Sequence, residues 1–197
     1  MYDPFVPRYL FIIVMLFPAP LAAAPVPTHL MPDTPPYFPT SVGTTWVYSY
    51  SGNPFTETIS ALEHRNGETF IMLDYVNGET RSPSALLRLN KDGLARLSSR
   101  GSEYVEPYWL IKRPAKPRDK WDFAIRFKPD GRAGDSGSKQ IGEPDEVEFN
   151  GRKLKTIRVI TKISGTTLTT WYAPGIGMVK ETGRGELILK SFKSGAE

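Results

Sequence analysis

Arg65-Asn66-Gly67-Glu68 and Val76-Asn77-Gly78-Glu79 bracket Thr69-Phe70-Ile71-Met72-Leu73-Asp74-Tyr75-Val76, and the fold class turns on this stretch. Asn-Gly is the preferred pair for a two-residue hairpin turn, because both central positions take φ > 0. The segment between the turns is apolar on both faces, as expected of a central strand. The same grammar extends outward. Asp92-Gly93 separates Leu86-Leu-Arg-Leu89 from Leu94-Ala-Arg-Leu97, and Asn150-Gly151 and Ser164-Gly165 bound Leu154 to Ile163. There Ile157, Val159, Thr161 and Ile163 share one face. Upstream, Trp46-Val-Tyr-Ser-Tyr50 alternates; downstream come Thr167 to Tyr172 and Glu186 to Phe192. Turns of this kind with strands between them predict an all-β chain, an antiparallel meander of roughly nine to eleven strands. Strand twist accumulates over such a length, so the meander must curl into a half-barrel or barrel, or split into a sandwich.

The 197 residues include 17 Gly and 18 Pro, more punctuation than a helical protein tolerates. Arg8-Tyr-Leu-Phe-Ile-Ile-Val-Met-Leu-Phe17 is a short apolar run behind one positive charge, and Ala22 and Ala24 fit a small-x-small cleavage pattern. Residues 1–24 are therefore read as a signal peptide, with a retained anchor as the alternative. The expected location is exported, periplasmic or extracellular. Residues 25–39 form a Pro-rich lead, read as an extended tether. A single β domain is expected over 40–193, with 194–197 as a tail. Within it Ser82-Pro83 could open a short helix, though a strand is preferred, and Lys128 to Glu148 reads as a polar loop followed by an edge strand. The chain has no Cys, which excludes disulfide scaffolds, thiolate metal sites and thiol nucleophiles. Net charge is +4 with the cations scattered, so nucleic acid is not an expected partner.

Two details mark the strand starts. Pro39 stands seven residues before Trp46, and Pro114 seven before Trp121, as if each Pro ended an extended approach and each Trp were the first large inward residue of its strand. Phe38-Pro39, Gly43 and Trp46-Val-Tyr48 at one end, and Trp171-Tyr-Ala-Pro-Gly-Ile-Gly-Met-Val-Lys180 at the other, carry a resemblance. The chain resembles a group of uncharacterised secreted bacterial β-rich proteins, some similar in layout to half-barrels of the lipoprotein-localisation-factor type. That resemblance implies a curved antiparallel sheet able to cup apolar ligands, and offers no catalytic residues. Taken alone, the second segment is a hairpin with Pro174-Gly175 and Gly177 at its reversal.

Candidate chemistry is sparse. Gly134-Asp-Ser-Gly137 resembles the nucleophile string of trypsin-like proteases, but Ser136 would need a histidine base and an orienting acid. Only His29 and His64 exist, one in the lead and one beside a turn. No catalytic residue, metal site or cofactor is assigned. Glu143, Asp145, Glu146 and Glu148 lack the oxygen spacing of a Ca²⁺ loop. Asp74 alternates in phase with Phe70, Met72 and Val76, and would be a site candidate if that face lined a cavity. Lys112, Arg113, Lys116, Arg118 and Lys120 cluster around two prolines, either as a solubilising loop or as a contact to an anionic surface, where each cation contributes about 1 kcal/mol.

Two uses of the fold follow. The first is a non-enzymatic protein whose curved sheet binds a lipid or other amphiphile, with Trp46, Phe70, Met72, Asp74, Trp121 and Trp171 as candidate ligand contacts. The second is an envelope or surface interaction module without a small ligand, using the basic loop or a sheet edge.

Overall fold

The structure, a computed structural model, describes residues 37–195. Among these every regular element is a β-strand: β1 (Thr45–Tyr50), β2 (Asn53–Arg65), β3 (Glu68–Asn77), β4 (Thr80–Asn90), β5 (Gly93–Ser99), β6 (Ser102–Lys112), β7 (Lys120–Phe127), β8 (Arg132–Ile141), β9 (Asp145–Phe149), β10 (Arg152–Ile163), β11 (Thr166–Ala173), β12 (Gly177–Thr182) and β13 (Glu186–Lys193). Each strand pairs antiparallel with its neighbours, and β13 returns to β1. Pairing of β10 with both β8 and β11 closes twelve strands into a barrel, leaving β9 as the extra strand. Full closure removes the edges that an open meander would expose.

The strand count exceeds the sequence expectation in part because β8 lies within the stretch read as a loop. Ser51-Gly52 and Arg100-Gly101 have both φ values positive, as do Asn66-Gly67, Asn150-Gly151 and Ser164-Gly165. Asn77-Gly78 behaves differently. There Asn77 pairs with Thr80, so the loop is Gly78-Glu79 with positive φ at Gly78 alone, the pattern of a turn led by glycine.

One expectation is corrected. Lys128 to Glu148 is not a long loop: only the turn around Pro129 to Gly131 interrupts it before β8 begins. Two glycines of this stretch, Gly134 and Gly137, are sites of close approach. A Cβ on Gly137 would lie 2.0 Å from the Lys162 carbonyl oxygen, and one on Gly134 would lie 2.8 Å from the Phe127 ring. The edge strand expected after the loop is β9, which pairs with β10 alone. Ile141 pairs with Val159, Gly142 N donates to Arg158 O at 2.9 Å, and Asp145 pairs with Thr156. β8 and β9 therefore follow one edge of β10, interrupted at Gly142-Glu-Pro144, and the β9 hairpin extends beyond the ring. The segment around Ser82-Pro83 is strand, with Pro83 at a register shift between β3 and β4 where a ladder donor is dispensable.

One seam is thin. β6 and β7 share a single ladder pair, Tyr104↔Phe127. Between Arg96↔Tyr108 and Ser98↔Glu103, one residue of β5 faces Tyr104 to Pro107 of β6, so β6 bulges away from its neighbour there. Ring contacts bridge the seam, with Tyr108 and Phe123 centroids 5.0 Å apart and Tyr104 and Phe127 5.6 Å apart.

Residues 1–24, read above as a signal peptide, and most of the Pro-rich lead lie outside the described residues. The last of the lead is no tether: Phe38 is buried at 7% exposure, with its ring 5.2 Å from Trp46. At the other terminus Gly195 N donates to Thr44 Oγ1 at 3.0 Å.

Candidate functional site: a well inside the barrel

Directly paired residues share a face, so the registers identify the inward set around the ring. Trp46 faces Glu57, which faces Tyr75; Leu87 faces Arg96, which faces Tyr108. Trp121 faces Lys139, which faces Thr161; Thr170 faces Glu181, which faces Leu187, and Leu187 faces Tyr50. Eight strands enclose an interior that side chains just fill, whereas about sixteen leave a water channel. Twelve fall between, and this interior divides along its axis.

The half on the side of the Asn66-Gly67 and Pro174-Gly175 turns is sealed. Trp46, Ile59, Ile71, Leu87, Leu94, Ile111, Ile141 and Val159 are each at most 2% exposed. Trp46 Nε1 donates to Ile176 O at 2.7 Å, and Phe38 lies against Gly177, where a Cβ would stand 3.1 Å from its ring. The two segments that carry the family resemblance thus meet in space and plug this end.

The opposite half is open. Tyr50, Asn53, Pro54, Phe55, Tyr75, Arg100 and Leu187 line a cleft of about 460 Å³, and a second hollow of about 480 Å³ beside it shares Tyr75 and Arg100. Arg100, at a turn with positive φ, holds its guanidinium 5.9 Å from the Tyr75 ring centroid. Glu57, Arg96, Tyr108 and Glu181 point inward beneath this mouth yet are only half-buried, so the interior is reached from that side. A larger hollow of about 620 Å³ is lined by Asp122, Ser138, Lys162 and neighbouring hydroxyls, but it lies on the outer face of β7, β8 and β10.

A charged layer lies beneath the mouth, on inward-facing positions that are not among those lining the two hollows. The Ser84 hydroxyl donates to Glu57 Oε1, and Thr170 Oγ1 donates to Glu181 Oε2 at 2.9 Å. Lys139, 4% exposed, holds Nζ 4.0 Å from the Tyr108 ring centroid, a cation–π contact. Arg96 Nε is buried without a hydrogen-bond partner. Burial pulls the Lys139 ammonium down to about 7, and Arg96 adds to this while Glu181 opposes it. Burial pushes the Glu57 carboxyl up, against the pull of the Ser84 hydroxyl and Arg96. It also pushes the Tyr108 phenol up to about 12 and raises those of Tyr172 and Tyr48.

Of the residues predicted from sequence, Trp46 and Trp121 are inward and buried, each the second residue of its strand. Phe70, Met72 and Asp74 do share one face, but it is the outer face, because Ile71 and Leu73 take the inner one. Phe70 is buried there with Arg65 packed over its ring at 4.2 Å, and Met72 is 42% exposed. Trp171 is also outward. Its Nε1 donates to Asp145 Oδ2 at 3.0 Å, which together with the Glu146 N–H holds the Asp145 carboxyl below its ordinary value. Lys112, Arg113, Lys116, Arg118 and Lys120 are all exposed in the β6–β7 connection at the sealed end. Arg118 lies 3.8 Å from Glu143, and Lys112 Nζ stands about 6 Å from the Trp109 and Trp121 rings. Ser136 is exposed on the outer face of β8, and His64 lies beside the Asn66-Gly67 turn at the other end of the barrel, bonded to Thr69.

The residues of the charged layer went unread, although a signal for them exists. Each inward charge alternates in phase with apolar residues: Glu57 with Phe55 and Ile59, Arg96 with Leu94, Lys139 with Ile141, and Glu181 with Val179.

No family model matches this sequence, and no curated protein does. Among solved structures, the chain is similar to a putative lipoprotein from Parabacteroides distasonis ATCC 8503, with 15% identity and a TM-score of 0.47, over 82% of this chain and 100% of that one. It is also similar to a putative exported protein with YmcC-like fold from Bacteroides fragilis NCTC 9343, with 11% identity and a TM-score of 0.43, over 81% of this chain and 100% of that one.

Proposed function

We propose that the chain is an extracytoplasmic, non-catalytic protein that binds an amphiphile in the open half of its barrel. The observation that carries this reading is the mouth cleft. Its 460 Å³ falls within the range of small-molecule sites, about 300–1,000 Å³, and its lining of Tyr50, Phe55, Tyr75 and Leu187 with one cation at the rim suits an apolar body with a polar end. The apolar run before Ala24 supports export. The test is native mass spectrometry with organic extraction of the protein purified from its exported form. A discrete co-purifying lipid-like mass, displaced when Phe55 and Tyr75 are changed to Ala, is the expected result. A clean apo mass that persists after incubation with lipid extract would overturn the reading.

A second reading concerns the opposite end. Five exposed cations in one connection suit contact with an anionic envelope surface, which leaves the mouth free. Salt-sensitive sedimentation with phosphatidylglycerol vesicles, absent with phosphatidylcholine, is its expected signature.

A further inference from the structure

The inward-facing layer beneath the mouth holds two cations and two carboxylates, and their bonding is unequal. Each carboxylate has its own hydroxyl donor, Ser84 for Glu57 and Thr170 for Glu181. The cations have no such partner. No carboxylate stands within 4.0 Å of Lys139 Nζ or of the Arg96 guanidinium among the described residues. Arg96 Nε is buried with no acceptor, and the Lys139 ammonium meets a ring face, which supplies no lone pair. Buried donors are almost always paired, and charged ones left unpaired cost the most. Both cations also address one point. Arg96 is the cross-strand partner of Tyr108, and Lys139 sits over the ring of the same tyrosine. They come from β5 and β8, on either side of the thin β6–β7 seam, so no ladder forces them together.

We infer that Arg96 and Lys139 form an anion-binding site at Tyr108, and that the amphiphile taken by the well is one with an anionic head, carboxylate or phosphate. The head lies on this layer and the apolar chain runs out through the aromatic mouth. This rests on the amphiphile reading and sharpens it to a ligand class. An anionic oxygen between a guanidinium and an ammonium accepts charge-assisted hydrogen bonds, about twice as strong as neutral ones. Around Lys139 the facing ionisable groups are Arg96, Glu57, Glu181, Tyr108, Tyr172 and Asp135, and the phenols stay neutral throughout the working range. Its own proton is held to about 7, so the site weakens as pH rises beyond that value.

Calorimetry on the delipidated full chain, with palmitate, hexadecanol and inorganic phosphate as separate probes, tests this. The expected result is palmitate bound about ten- to a hundredfold more tightly than hexadecanol at pH 6, the gap shrinking by pH 9. Arg96→Gln and Lys139→Met each lower palmitate affinity about tenfold, more than they lower that of hexadecanol. Equal affinity for acid and alcohol in the unaltered protein overturns the anion site and leaves the amphiphile reading standing. Binding of neither overturns both. Phosphate bound as tightly as palmitate keeps the anion site but removes the amphiphile. The acid-to-alcohol ratio and the pH profile come from the unaltered protein, so a variant that fails to fold does not remove the test.

Discussion

In the half of the barrel nearest Phe38, inward alternation delivers Trp46, Ile59, Ile71, Leu87, Ile111 and Val159, each at most 1% exposed. In the half nearest Arg100, the same alternation on the same strands delivers Glu57, Arg96, Tyr108 and Glu181, then the aromatic mouth. One strand can serve both. β2 carries Ile59 into the sealed half and Glu57 and Phe55 into the open one. A barrel of twelve strands is wider than its side chains need to fill. The sealed half therefore supplies the stability, and it lets the other half hold charges that a core would reject.

The largest expected effect belongs to the sealed half. Trp46→Ala removes a ring that touches Phe38 and Phe192 and a hydrogen bond to Ile176 O, so it should cost about 3–5 kcal/mol. Urea unfolding would measure it, and a loss below about 1 kcal/mol would mean that this end is not the stabilising half. Next comes a backbone contact in the open half. Gly137→Ala places a methyl group against the Lys162 carbonyl and the Phe123 ring, and should cost about 1–3 kcal/mol by forcing β8 from β10. That glycine belongs to the protease-like string, so its physical role would be shown to be strand contact.

A third prediction sets the two halves apart by pH. Lys139 keeps its proton only to about 7 in the folded barrel, whereas the unfolded chain keeps it to the ordinary lysine value near 10.5. Between those values only the unfolded state binds the proton. Stability therefore rises with pH across that window, by up to about 1.4 kcal/mol per unit, and below pH 7 the cost of the buried charge is borne in full. In Lys139→Met this slope should vanish, leaving a protein more stable than the parent at pH 6. If the slope survives the substitution, the charged layer is not where the buried proton sits.

Much of the fold could be read in advance, and the shortfalls have particular causes. Asn66-Gly67, Asn150-Gly151 and Ser164-Gly165 announced their turns because glycine takes φ > 0 without steric cost and Asn tolerates it. Arg100-Gly101 adopts the same shape, but arginine has no preference for it. Faces were harder than strands. Alternation separates Ile71 and Leu73 from Phe70 and Met72 but does not say which pair points inward when both are apolar. The site was missed for a related reason. A lysine or arginine in a short strand reads as a solvent-facing residue even where, like Arg96 with Leu94 or Lys139 with Ile141, it alternates in phase with the inward apolar set.

The smallest expected change in stability belongs to the β6–β7 connection. Replacing Lys112, Arg113, Lys116, Arg118 and Lys120 with Ser should cost within about 0.5 kcal/mol at each exposed site. If this loop meets an anionic surface, the same variant should lose phosphatidylglycerol vesicle binding, since each cation there is worth about 1 kcal/mol. Its affinity for palmitate should not change, because the loop lies at the sealed end and the mouth at the other. Loss of palmitate binding in that variant would mean that ligand enters past Trp121 through the thin seam, where Lys112 spans Trp109 and Trp121. The plugged end would then be the entrance, and the division between the halves would be reversed.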